Sequence, residues 1–217
     1  MMLNLFLNGA SGKMGSSIIN QLSKIENISI IDSIVDCDVV IDFSRPESSI
    51  KIIKKCIENR KPIVIGTTGF NNEQLQTIKE ASQVIPVSLS YNMSKGIFFL
   101  KELIKDFLLK NKHNFECVIH EVHHTEKVDA PSGTAIELEK TIKTNDTNKI
   151  ISSVCIESER ASDVNGIHEV RFFNKNESIL FKHEALSRNI FSDGAIAIAK
   201  AIIKKEPNLY SVKDFFN

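Results

Sequence analysis

Residues 121–135 read Glu-Val-His-His-Thr-Glu-Lys-Val-Asp-Ala-Pro-Ser-Gly-Thr-Ala, which gathers two imidazoles, an ammonium group and a Ser-Gly-Thr turn. An imidazole, with an ordinary pKa of about 6.5, is a suitable acid for protonating a developing carbanion or enamine. His123 and His124 each offer one, and Lys127 places a full positive charge beside them. The backbone N–H groups and hydroxyls of Ser132, Gly133 and Thr134, at the opening of a helix, form an anion site suited to a carboxylate. The segment His120-Glu-Val-His-His124 also satisfies the zinc pattern H-E-x-x-H. That chemistry needs both histidines on one helical face. Here Phe115–Glu121 has strand character, and Thr125, Val128 and Pro131 soon follow. The longer zinc pattern fails as well, because Lys127 and Ala130 stand where it needs Gly and His. No metal site is expected.

A second constellation opens the chain. Gly9-Ala-Ser-Gly12-Lys-Met-Gly15 lies between an apolar run and an amphipathic stretch, spaced G-x-x-G-x-x-G. Glycines permit the tight turn, let backbone N–H groups approach a pyrophosphate, and allow close helix–strand packing. The dipole of the following helix adds positive potential where phosphates would lie. In such folds an acidic residue about 20 residues further on bonds the adenosine ribose. Asp32 and Asp36 compete for that role, and Asp32 is preferred because it directly follows Ile28–Ile31.

These residues need a scaffold. Leu3–Leu7, Ile28–Ile31, Asp38–Phe43, Pro62–Gly66 and Val84–Val87 read as strands. Helices are expected over Lys13–Lys24 (Met14, Ile18, Ile19 and Leu22 on one face), Glu47–Asn59 and Asn72–Ser82. This rhythm predicts a parallel sheet with helices on both faces. The middle changes character: a helix over Ile97–Leu109, a strand over Phe115–Glu121 and a helix from the Pro131–Thr134 turn to about Lys143. Strands over Ser152–Glu157, His168–Asn174 and Ser178–Ala185 follow, which is an α+β pattern. A last helix, Gly194–Lys204, is expected to be capped by Ser192 and Asp193 and to pack back on the first domain through Ala195, Ile198, Ala199 and Ile202. The fold class is therefore α/β: a Rossmann-like parallel-sheet nucleotide-binding domain (1–93 and 190–217) with an inserted α+β mixed-sheet domain (94–189) for substrate and oligomerisation.

Composition narrows the function classes. The 217 residues carry 27 basic and 27 acidic side chains, so the basic excess that marks a nucleic-acid binder is missing. No apolar run reaches membrane-spanning length, and the first residues lack a signal peptide's basic start and cleavage site. Cys37, Cys56, Cys117 and Cys155 form no C-x-x-C pair, which fits reduced thiols in a cytoplasmic protein.

The pattern E-x-H-H-x-x-K-x-D-A-P-S-G-T-A over Glu121–Ala135 resembles the signature of the dihydrodipicolinate reductases, of the diaminopimelate–lysine pathway. Gly9–Gly15, Val40-Ile-Asp-Phe-Ser44, Gly66-Thr-Thr-Gly-Phe70, Asn92-Met-Ser-Lys-Gly96 and Gly194-Ala195 extend the likeness along nearly the whole chain. The resemblance implies that NADH or NADPH lies along Gly9, Ala10, Ser11, Gly12, Lys13 and Met14. Gly66, Thr67, Thr68 and the segment Ser90, Tyr91, Asn92 and Met93 would contact its nicotinamide half. A small cyclic dicarboxylate would sit against His124, Lys127, Ser132, Gly133 and Thr134. Hydride would pass to C4 of the ring, and His123 would protonate the resulting enamine with Lys127 assisting. The family also implies a homotetramer, and domain closure on substrate. Lys13 stands where the family usually has Arg, keeping the charge without the planar fork. Two other readings remain at this stage: a different two-domain dehydrogenase acting on a dicarboxylate or amino-acid semialdehyde, and an inactive relic that binds nucleotide.

Overall fold

Short runs of β-branched residues, buried on both faces, build a sheet that has to be covered on each side by helices. In the computed structural model, which describes residues 2–162 and 164–216, the strands are β1 (Leu3–Asn8), β2 (Ile28–Ile30), β3 (Val39–Asp42), β4 (Ile63–Ile65) and β5 (Pro86–Leu89). A sixth, β10 (Asn208–Tyr210), comes from the far end of the chain. All neighbours pair in parallel, in the order β10-β5-β4-β3-β1-β2. The order reverses between β1 and β3, the switch point where open sheets of this kind bind ligands. On one face, α2 (Pro46–Glu58) and α3 (Asn72–Ala81) bury Ile52, Ile53, Cys56, Ile78 and Ala81 against Val40, Ile63, Ile65 and Val87. α1 (Lys13–Leu22) packs against α6 (Asn189–Ile202), and α6 lies against β3, β4 and β5. This unit comprises the residues to Ser94 and those from Arg188 onward.

The second unit, Lys95–Ser187, has a mixed sheet of β6 (Phe115–His123), β7 (Ile151–Arg160), β8 (Ile167–Phe173) and β9 (Ser178–Glu184), ordered β7-β6-β8-β9. β6 runs parallel to β7 and antiparallel to β8. Its alternation decides what faces where. Phe115, Cys117 and Ile119 point inward beneath α4 (Lys95–Lys110) and α5 (Gly133–Asn145), and Glu116, Val118 and His120 point outward. The core gathers Ile97, Leu100, Ile104 and Leu108 of α4 with Leu138 and Ile142 of α5 over Val170 and Phe172. Phe107 stacks on Phe172 with ring centroids 4.6 Å apart.

Several expectations are corrected. The last helix starts at Asn189, so Ser192 and Asp193 lie within it and cap nothing. Ser192 is fully buried and its hydroxyl donates to Ser17 Oγ of α1 at 2.6 Å, while Asp193 accepts from Gln21 at 2.7 Å. Both tie helix to helix. β5 begins at Pro86, two residues later than expected, and β10 and a 3₁₀ turn at Val212–Asp214 carried too short an apolar signal to be read. Ile19 is 42% exposed, at the rim of the α1 face rather than on it.

α6 approaches the turn after β5 so closely that a Cβ at Gly194 would lie 1.8 Å from the Met93 carbonyl oxygen. That neighbour is backbone and cannot swing aside. Gly194→Ala is therefore expected to cost at least about 2 kcal/mol, read as a lowered urea midpoint with unchanged m-value.

Candidate active site

In the first unit, Gly9 has φ +90°, and a Cβ there would meet the Phe43 carbonyl oxygen at 2.3 Å. A Cβ at Gly15 would come within 2.2 Å of the Gly9 carbonyl oxygen, so α1 enters almost in contact with the turn. Gly12 is different. Its φ of −80° suits any residue, and the nearest atom to an added Cβ is 3.4 Å away. The fold itself does not require glycine at 12, whereas close approach of a phosphate to the α1 amides does. Ala10, Ser11 and Lys13 are exposed around it and Met14 is half-buried. Glycine-rich turn, exposed helix start and switch point together fit a dinucleotide.

Beneath this turn lies Asp42, wholly buried at the end of β3. It accepts from Asn8 Nδ2 at 2.7 Å, Ser44 Oγ at 2.6 Å, Thr67 Oγ1 at 3.0 Å, and Ser49 Oγ. Thr67 also accepts from the Ser44 amide at 2.9 Å, so its side chain is committed inside the fold, while Thr68 is exposed and Gly66 half-buried. Ser90 closes its own turn by donating to the Asn92 carbonyl at 2.7 Å; Met93 is buried, and Tyr91 and Asn92 are half-buried. Asp32 is exposed just past β2, and Asp36 accepts from Ser33 Oγ at 2.6 Å.

The second unit assembles a cluster of ionisable side chains at the end of β6. His123 is 8% exposed, and its Nδ1 bonds Glu121 Oε2. Glu121, fully buried, accepts from Arg160 at 3.1 Å and from the Ser132 amide at 3.3 Å. Arg160 also donates to the carbonyl oxygens of Lys127 and Asp129, which ties the loop after β6 to β7. Lys127 Nζ bonds Asp129 at 2.8 Å. Ser132 caps α5 by accepting from the Ala135 amide at 3.2 Å. Its hydroxyl also lies within hydrogen-bond distance of His168 Nε2, at 3.3 Å. The His168 ring stands edge-on to His123 with centroids 5.0 Å apart. Thr134 is buried, with Gly133 and His124 half-buried nearby in sequence. Glu121, His123 and His168 offer three possible ligand atoms within 4.8 Å of one another, but Glu121 is already bonded by Arg160 and His123 and so belongs to an internal network. His120 sits on the outward face, paired with Glu159 at 3.3 Å, so the H-E-x-x-H letters lie on a strand and do not converge. A cavity of about 560 Å³ on that outward face, lined by Val118, His120 and Glu169, lies across the sheet from His123.

Two family models match the chain: "Dihydrodipicolinate reductase, C-terminus" over residues 96–216 and "Dihydrodipicolinate reductase, N-terminus" over residues 27–93. A 4-hydroxy-tetrahydrodipicolinate reductase of Rickettsia bellii (strain OSU 85-389) is 36% identical over 239 residues, covering 100% of this chain and 95% of that protein. The chain belongs to the dihydrodipicolinate reductase family. The reductase of Sulfurimonas denitrificans (strain ATCC 33889 / DSM 1251) is likewise 36% identical, over 252 residues and 98% of each protein. The fold is shared with a dipicolinate-bound dihydrodipicolinate reductase from Paenisporosarcina sp. TG-14, at TM-score 0.75 and 21% identity over 97% of this chain and 98% of that one.

In this member of the dihydrodipicolinate reductase family, sequence reasoning found the imidazoles, the lysine and the helix turn but assigned Glu121, Arg160 and His168 no role. Glu121 was visible as the first position of the Glu121–Ala135 pattern, on the inward phase of an alternating strand, with nothing to name its role. Arg160 and His168 reach the site through strand pairing, opposite His123 and Glu121 respectively.

The network sets its own proton affinities. Burial pushes Glu121 up, but bonds from Ser158, His123 and Arg160 outweigh it and hold the carboxyl below its usual range. For His123, burial lowers the pKa, Glu121 raises it, and Lys127 and Arg160 lower it again, leaving it below the ordinary value. Burial, aided by His123, His183 and Lys127 and opposed by Glu121, drives His168 from 6.5 down to about 3. A depressed histidine pKa stabilises the fold above the unfolded value, and that stability is lost as pH falls from 6.5 toward 3. Going from pH 7 to pH 5 should thus cost about 2 kcal/mol through His168 alone. Urea titrations at the two pH values should show this loss in the wild type and a loss smaller by that amount in His168→Gln.

Proposed function

We propose that this chain reduces 4-hydroxy-tetrahydrodipicolinate to tetrahydrodipicolinate with NADH or NADPH, the step of its family in diaminopimelate and lysine biosynthesis. The observation that carries the reading is the meeting of His123, the Lys127 loop and the α5 start on one Glu121–Arg160 pair, in a chain matching the family along its length. Loss of the 4-hydroxyl as water leaves a ring double bond to C4, and the reduced nicotinamide, when bound, would supply the hydride that adds there. Gly9, Ala10, Ser11, Gly12, Lys13 and Met14 hold the pyrophosphate side, and Asp32 the adenosine ribose. Gly66, Thr67, Thr68 and the 90–93 turn face the nicotinamide side.

His124, Lys127, Ser132, Gly133 and Thr134 hold the dicarboxylate. The start of α5, with its backbone N–H groups and the positive end of its dipole, suits a carboxylate. Lys127 leaves Asp129 to pair with it, since a substrate carboxylate offers the same charge with two oxygens. His123 then gives its Nε2 proton to the carbon next to C4: the N–H bond breaks, a C–H bond forms, and imidazolium becomes neutral imidazole. The bound carboxylates add negative charge, which raises the proton affinity of His123 in the complex.

The working form is a homotetramer built through the second unit's sheet. Support comes from the outward presentation of Val118, Phe173 and the 47% exposed Leu180 among charged neighbours. A cytoplasmic location agrees with four free cysteines, three of them buried. Among the described residues no helix is long and apolar enough to cross a membrane.

Oxidation of NADH and of NADPH should both be followed with substrate generated by the preceding synthase. Substrate-dependent turnover is expected with at least one cofactor, and its absence in folded, cofactor-binding protein would refute the reading. His123→Gln should lower kcat about 10²-fold or more with cofactor affinity intact. Lys127→Ala should raise the substrate KM and lower kcat together; unchanged kinetics in both variants would remove the site assignment.

A further inference from the structure

The proton donor does not stand alone, and what stands behind it has no counterpart in the residue roles considered so far. Glu121 is fully buried and two strand positions away from the side chain it serves, so both project from the inward side at the end of β6. It collects His123 Nδ1 on Oε2, and Arg160 and the Ser132 amide on Oε1. Arg160 in turn donates to the carbonyl oxygens of Lys127 at 3.3 Å and of Asp129, and to that of Glu159 at 2.7 Å. One ionic pair therefore bonds directly to the imidazole, to the loop bearing the lysine, and to the N-cap of the helix whose first turn receives a carboxylate.

We propose that Glu121 and Arg160 are a positioning pair for the reductase reaction: Glu121 fixes the ring of His123 with Nε2 as the delivering atom, and Arg160 locks the Lys127 loop to the same carboxylate. The inference rests on the assignment of His123 as proton donor. An ionised carboxylate can only accept, so Nδ1 of His123 keeps its proton in both charge states. The proton exchanged with substrate is therefore the one on Nε2. The approach to that atom is kept clear by Gly166, whose absent Cβ would lie 3.2 Å from Nε2. After transfer the ring is left as the Nδ1–H tautomer, still held by Glu121, and takes its next proton on Nε2 from water.

The electrostatics agree with the geometry. His123 faces Glu121 on its own strand, Arg160 from β7, Lys127 with Asp129 from the loop, and His168 from β8. Burial, Lys127 and Arg160 lower its proton affinity, and Glu121 is the group that raises it. His168 is held neutral and adds no charge at working pH. Removing the Glu121 charge leaves only lowering influences, so His123 would lose its proton at a lower pH.

The test compares Glu121→Gln, Arg160→Lys and His123→Gln with the wild type. The readings are kcat and kcat/KM from pH 5 to 9, and NADH or NADPH binding by fluorescence. Glu121→Gln should lower kcat about 10²-fold and move the alkaline limb of the kcat profile down by about one pH unit or more. A purely structural role would scale the rates and leave the limb in place, and that result would overturn the proposal for Glu121. Arg160→Lys keeps the charge but cannot span Glu121 and two carbonyl oxygens at once. It should raise the substrate KM about tenfold with a smaller fall in kcat and no change in cofactor binding. Wild-type KM in Arg160→Lys would overturn its part, and it remains decisive should Glu121→Gln fail to fold. Full activity in His123→Gln would instead strike the reading beneath, which keeps the two failures apart.

Discussion

A carboxylate wholly removed from water is tolerable only where donors replace every hydration bond it gives up. Glu121 meets that condition with an imidazole, a guanidinium, a backbone amide and the Ser158 hydroxyl. The consequence runs outward through the second unit. Because these donors come from β6, β7 and the start of α5, satisfying one buried charge sets the mutual placement of three elements. An imidazole, the loop bearing Lys127 and a helix start are thereby held in fixed geometry by the same constraint.

The first unit uses the same device with a different partner set. Asp42 closes β3 and is as deeply buried, but its donors are neutral: an amide from β1, hydroxyls from the following loop and from α2, and Thr67 after β4. With no cation in that set, the positive end of the α2 dipole lies on the side where Ser49 donates. Each central strand thus ends in a buried carboxylate that gathers the loops around it. The difference in charge balance follows from the task. Arg160 beside His123 offsets a carboxylate that would otherwise hold the imidazole more firmly protonated.

The two histidines at the second site illustrate how environment divides one residue type into two roles. His123 keeps an ionised neighbour and an open Nε2. His168, pushed down to about 3, stays neutral near neutral pH and serves as a wall and as a hydrogen-bond partner for Ser132. Burial is the leading cause in both, and the adjacent carboxylate makes the difference.

Much of this was legible in the chain. The glycine turn, the β-α-β rhythm and the Glu121–Ala135 run are local patterns, where backbone sterics and side-chain chemistry within a few residues decide the outcome. Relations between distant segments were not. Ser192 looked like a cap because a hydroxyl before an apolar run usually is one, yet α6 starts earlier and spends that hydroxyl on α1. β10 is three residues long and exists because β5 offers it a free edge. Arg160…Gly166-Ile-His168 follows the family's Arg…Gly-x-His pattern only in part and names no role; pairing of β6 with β7 and β8 brings these residues to His123 and Glu121. The sequence by itself determined which chemically able groups lie close together along the chain, since their types and spacing are written in contiguous residues. The tertiary structure alone decided which of them are buried, which proton each imidazole holds and what stands behind the acid, because burial and strand register are properties of packing between segments far apart in the chain.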